Sequence, residues 1–290
     1  MKFFPAIFAL ALLGVFGAPG QVVRVQVSLS QKEFLPGESL PATVRVFNDS
    51  GQTLHLGADR DWLTFGVTSA DGQYAPPQKS QPPVVGPFDL GSMEVAIKRV
   101  NLAPYFALNK LGSYQVVAMV HIAAWGKDVS SAPAPFDIID GAELWQRDFG
   151  VPLPAGVTNR APEVRKYILE EANYLQRQLR LYVLVSNQSR SRIFKAEAIG
   201  PMVSFSTPQA ELDERSDLHV LYQSGARSFI YAVIAPDGSI LSESVYDLWK
   251  DRPRLEMLGN GSIAVVGGVP RVAPHALPVI DSPNQVPVNP

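Results

Sequence analysis

Two short runs constrain this chain more than any other feature. In VVRVQVSLS, Val23, Val25, Val27 and Leu29 alternate with Arg24, Gln26 and Ser28, and in LPATVRVFN the positions Ala42, Val44 and Val46 repeat the pattern. A period of two puts every second side chain on one face, so each run is a strand with one buried side. Between them Leu35-Pro36-Gly37-Glu38 supplies a turn, with Pro36 presetting φ and Gly37 free to adopt a positive φ. Further strands are predicted at 63–69, 93–101, 112–123 and 135–139, and Asp71-Gly72 has the chemistry of a hairpin turn.

Short strands at this spacing, with Pro and Gly between them, predict an antiparallel β-sandwich of immunoglobulin type over residues 21–140. The stretch FLPGESLPATVRVFNDSGQTLHL, residues 34–56, resembles the opening of bacterial immunoglobulin-like and macroglobulin-like extracytoplasmic domains. That resemblance implies a fold and carries over no functional residue. A proline-rich stretch, APPQKSQPPVVGPFD at 75–89, interrupts the domain and is expected to run over its surface, since proline cannot donate to a ladder.

The first twenty residues, MKFFPAIFALALLGVFGAPG, read as a signal peptide. Lys2 provides the charge, an apolar run follows to Phe16, and Ala18 and Gly20 are the small residues before a cut ahead of Gln21. The run is shorter than the ~20 residues a spanning helix needs, so no transmembrane anchor is expected after cleavage, and the protein should be periplasmic or secreted. Cysteine is absent, which excludes a lipid-anchored amino terminus, a disulfide framework and thiolate metal sites. A formal charge of −2 gives no basic face for nucleic acid.

The second half, 141–270, is expected to be another antiparallel β domain carrying one helix. PEVRKYILEEANYLQRQL, residues 162–179, has Val164, Ile168, Leu175 and Leu179 at three-to-four-residue intervals and predicts an amphipathic helix opened by Pro162. After it comes an internal repeat: LYVLVSNQSRSRIFKAEA from Leu181 aligns without gaps on LHVLYQSGARSFIYAVIA from Leu218. Both copies read strand, polar turn, strand, with Arg190 over Arg227 in the turns and Tyr182 over His219. The repeat is similar to propeller-type β units, but two copies cannot close a propeller, so a curved sheet or small sandwich is predicted, with closure by a second chain as the other solution. The tail, 271–290, is proline-rich and expected to be disordered or extended.

No zinc-protease, phosphate-loop or nucleophile-elbow motif occurs, and no cofactor is implied. Two polar groupings stand out. Glu211, Asp213, Asp217 and His219 could ligate a divalent cation from an extended loop, with a solvated loop as the plainer reading. Trp62 follows Asp59 and Asp61, an arrangement in which an exposed ring could stack on a sugar while the acids bond its hydroxyls, although core packing is tryptophan's ordinary fate. The functional expectation is therefore a non-catalytic exported binding or assembly module contacting a protein or carbohydrate partner in the cell envelope. The alternative is an extracytoplasmic glycan- or peptide-directed hydrolase whose acid and base, such as Asp213 or Asp217 with His219, lie on loops of the second domain.

Overall fold

Valine-rich alternation becomes strand wherever the computed structural model describes the chain, which is at residues 22–73, 75–76, 80–84, 86–153, 161–174, 178–259 and 261–271. The leader expected over 1–20 and nearly all of the tail expected over 271–290 lie outside the described residues. Contacts divide the chain into two units, Met1–Ile139 and Asp140–Pro290. No described helix is long and apolar enough to cross a membrane.

The first unit contains β1 (Val23–Leu29), β2 (Glu33–Phe34), β3 (Pro41–Asn48), β4 (Leu54–Leu56), β5 (Leu63–Ser69), β6 (Phe88–Leu90), β7 (Glu94–Asn101), β8 (Gly112–Ile122), β9 (Lys127–Ser130) and β10 (Ala134–Ile138). One sheet has the order β1-β3-β7 and the other β2-β10-β8-β5, with β9 beside β8 and β4-β6 as a separate ribbon. Pairing is antiparallel except between β10 and β2. The inward residues of both sheets share one core, Val25, Val44 and Val46 from the first meeting Phe65, Val116, Val120 and Phe136 from the second.

Polar residues of the opening motif fasten that frame. Gly37 has φ of 80°, and the Glu38 carboxylate accepts from the Leu35 amide at 2.8 Å and from Gln31 Nε2 at 2.8 Å. Asn48 is fully buried because its amide donates to the carbonyls of Gln52 and Leu90, at 2.7 and 2.9 Å.

Two local expectations are corrected here. The Asp71-Gly72 turn ends β5, but β5 pairs with β8 and not with the next strand, so the turn does not close a hairpin. The proline-rich stretch is partly packed: Pro76, Pro82 and Val84 are buried, and Gln81 bonds both the amide and the carbonyl of Phe65, standing in for a neighbouring strand.

The second unit contains β11 (Ala142–Gly150), β12 (Val164–Tyr174), β13 (Gln178–Asn187), β14 (Ile193–Pro201), β15 (Gln209–Leu212), β16 (Leu218–Gln223), β17 (Ser228–Ile234), β18 (Ile240–Asp247), β19 (Arg254–Met257), β20 (Ile263–Val266) and β21 (Val269–Pro270). Its sheets have the orders β11-β12-β13-β14 and β15-β16-β17-β18-β21, with β19-β20 as a hairpin. The amphipathic helix predicted at 162–179 is not formed. Those residues supply β12 and the start of β13, which pair from Arg165↔Asn187 to Tyr174↔Gln178. The reason is burial on both faces: Tyr167, Ile168, Leu169 and Glu170 are all buried in succession, a pattern without period two that imitates a helix.

Each repeat copy is a hairpin, β13-β14 and β16-β17, and the two meet across one core. Leu181, Val183 and Ile199 pack there with Leu218, Val220, Tyr222 and Ile230. This covers the apolar face within one chain. Tyr167 spans the same core, donating to the carbonyls of Ser216 at 3.1 Å and Ile234 at 3.3 Å.

Candidate functional site

The five-residue loop between β15 and β16 brings together most of the acid and histidine residues singled out in the sequence. Leu212 pairs with Leu218 at its base, and the loop folds around Asp213. Asp213 Oδ1 accepts the backbone amides of Arg215 and Asp217, both at 2.9 Å, and Ser216 takes φ of 64° to complete the turn. Arg215 lies 3.5 Å from the Asp213 carboxylate and 3.3 Å from that of Asp217. His219, one step into β16, is buried; its Nδ1 lies 2.6 Å from the Tyr231 hydroxyl and its Nε2 3.6 Å from Asp213 Oδ2. The second distance suits an ion pair and is too long for a hydrogen bond.

The two aspartates differ electrostatically. Burial acts against ionisation of Asp213, but the amides of Asp217 and Arg215 and the adjacent imidazole outweigh it and hold the carboxyl below the usual aspartate range. Burial, and then the Asp213 charge, raise Asp217. The Tyr231 hydroxyl is within hydrogen-bond distance of Nδ1, while Nε2 faces Asp213 without a hydrogen-bond partner, so the three side chains line up as Tyr-His-Asp with a gap at the second step. Nε2 is buried, His219 as a whole being 8% exposed, and Nδ1 faces the Tyr231 hydroxyl.

The cation-binding reading loses its geometry. Glu211, opposite His219 in the β15-β16 register, faces Arg147 at 3.5 Å. Asp213 is occupied by its own loop, and among the described residues no three acidic or histidine side chains converge as a metal ligand set. Tyr231 is the member of this cluster that sequence reasoning missed; its place in the second repeat copy, aligned with Phe194, was the available signal.

Trp62 is also turned the other way from a sugar platform. It is 3% exposed, donates Nε1 to the Val84 carbonyl at 2.7 Å and packs edge-on against Phe88. Asp59 and Asp61 remain exposed. Asp61 borders an open cleft of about 470 Å³ with Arg60, Gln81, Pro82 and Pro83, and a smaller one of about 190 Å³ with His121 and Asp128. The indole reads the proline-rich segment instead of a ligand.

One further surface has binding geometry. β18 pairs along its length with β17, but its other flank meets β21 only at Tyr246 and Asp247. Residues 240–244 have no strand on that flank among the described residues, and Ile240 and Leu241 are exposed there.

No protein-family model matches the chain, and no curated protein matches it. Among solved structures it is similar to the crystal structure of Spo0M, a sporulation control protein from Bacillus subtilis, at 11% identity over 73% of this chain and 79% of that one. The TM-score is 0.31, too low for that likeness to carry any functional argument.

Proposed function

We propose that this protein is a non-catalytic, exported β-rich module that binds a partner in the cell envelope, with an immunoglobulin-type sandwich as its first unit. The observation that carries the reading is the open flank of β18. An unpaired strand edge offers a row of amides and carbonyls, and an extended segment of a partner protein can add to it as a further strand while side-chain contacts set specificity. Ile240 and Leu241 would supply those apolar contacts. The leader-like amino terminus supports export, and the filled surroundings of His219 favour binding over hydrolysis.

A photo-crosslinking side chain at position 241, compared with one at position 59 in the other unit, tests the reading in native envelopes. The expected result is a discrete adduct from position 241 whose partner segment, made as a peptide, binds the wild-type chain and binds Leu241→Lys at least roughly tenfold more weakly, since charge on an edge opposes strand addition. Adducts from neither position, or binding indifferent to the substitution, would overturn it.

A further inference from the structure

The end of the β15–β21 sheet opposite the Asp213 loop is built differently. Three segments meet there: the turn between β14 and β15, the turn between β16 and β17, and the connection from β18 to β19. The Val203 amide donates to the Gln223 carbonyl at 3.0 Å, which joins the first to the end of β16. The Leu248 amide donates to the Arg227 carbonyl at 2.7 Å, and Arg252 reaches Gln223 Oε1 at 3.4 Å, which joins the third to the second.

Two aromatic rings project from this end. Phe205 sits in a tight turn in which Ser206 bonds the Val203 carbonyl through its amide and its hydroxyl, and it holds φ of 61°, a conformation that costs a bulky residue free energy. Its side chain is entirely exposed, and Trp249 is 68% exposed. Exposed cations lie on two of the same three segments, Arg227 on the second and Lys250 and Arg252 on the third. Arg227 donates to the neutral Leu248 carbonyl at 3.0 Å and also feels the Asp247 carboxylate, which it shares with Arg271, while Arg252 donates to a neutral amide. Asp251 is the carboxylate within these segments, while nearby Asp247 is engaged by Arg271.

We infer that this end of the second unit docks on an anionic lipid bilayer, Phe205 and Trp249 entering the headgroup region and Arg227, Lys250 and Arg252 meeting lipid phosphates. Aromatic rings partition to the membrane–water interface, and cations beside them gain from the negative potential of an acidic leaflet. A protein partner fits less well, because an aromatic anchor in a protein interface is ringed by surface that excludes water, whereas these rings stand on separate turns among charged groups. The docking end is distinct from the open flank of β18 and does not depend on the partner proposed for it.

Vesicle co-sedimentation of the full chain is the test, using phosphatidylcholine alone and phosphatidylcholine mixed with phosphatidylglycerol. The apolar run 3–16 is common to all variants, so differences between them report on the loops. Binding to the acidic vesicles should weaken as salt rises, and fall at least roughly tenfold in Phe205→Asp/Trp249→Asp and about fivefold for each of Lys250→Glu and Arg252→Glu. Met257→Asp, at an exposed position of β19, should bind as wild type. Cooperative melting no lower than that of wild type confirms that each variant is folded, with relief of the positive φ at Phe205 free to raise it. Equal binding by wild type and the loop variants, or attachment to native envelopes but not to protein-free acidic vesicles, would each overturn the inference.

Discussion

The phenolic hydroxyl of Tyr222 crosses the core of the second unit to donate to the backbone carbonyl of Ile199. The next residue, Gly200, has φ of 134°, and a β-carbon there would sit 2.5 Å from the Tyr222 oxygen. Tyr167 makes the opposite crossing to Ile234, so each layer is tied to the other by a tyrosine.

Gly200→Ala should therefore destabilise by roughly 1–3 kcal/mol, from overpacking and backbone strain together. Tyr222→Phe should cost about 1–3 kcal/mol by leaving a buried carbonyl unpaired. In the Tyr222→Phe background the alanine should cost less than it does alone, a non-additivity that urea unfolding of the four proteins can measure.

Glu170 is buried, lies 2.6 Å from Arg190 and is approached by Gly141. Burial pushes its carboxyl up from 4.5 to about 7, against the pull of Arg190 and with the help of Asp140 and Glu143. A carboxyl whose folded value is raised favours folding while protonated. Its contribution is complete below pH 4.5 and is lost as pH rises through about 7, on the order of 3 kcal/mol in all. Stability of the second unit should fall across that window. Glu170→Gln should flatten the fall, and Arg190→Ala should move it to higher pH; denaturant melts at several pH values decide.

Asp213 and Asp217 should show opposite signatures. The Asp213 carboxyl is lowered, so its contribution is present above the ordinary aspartate value and is lost on acidification. Asp213→Ala should cost about 1–3 kcal/mol at neutral pH, with the difference shrinking in acid. Asp217 is raised, so Asp217→Asn should gain stability at neutral pH and none in acid. Thermal melts at neutral and acidic pH separate the two.

Trp62→Ala should cost roughly 3–5 kcal/mol as a core deletion. Asp59→Ala and Asp61→Ala should stay within about 0.5 kcal/mol, as surface changes do. A Trp62→Ala protein as stable as wild type would contradict the inward placement of the indole.

Strands with one wet face could be read directly, because Val23, Val25 and the rest of β1 write their geometry in alternation. β12 could not. Its buried Glu170 is paired with Arg190, twenty residues along the chain, and Glu, Arg, Ala and Gln around it are good helix formers overridden by tertiary burial. The repeat predicted two hairpins, but nothing local said that their apolar faces would meet. His219 was visible as an oddity in a strand. Its partner Tyr231 lies on the adjacent strand, so only the register of β16 on β17 brings the two together.

That meeting of hairpins also bears on how such a unit could have arisen. A chain carrying only the copy from Leu181 would leave Leu181, Val183 and Val185 without the facing layer, and a second molecule would be the natural cover. Duplication followed by fusion turns such a pair into one polypeptide. Within one polypeptide the matching positions can carry different residues, as Tyr182 and His219 do.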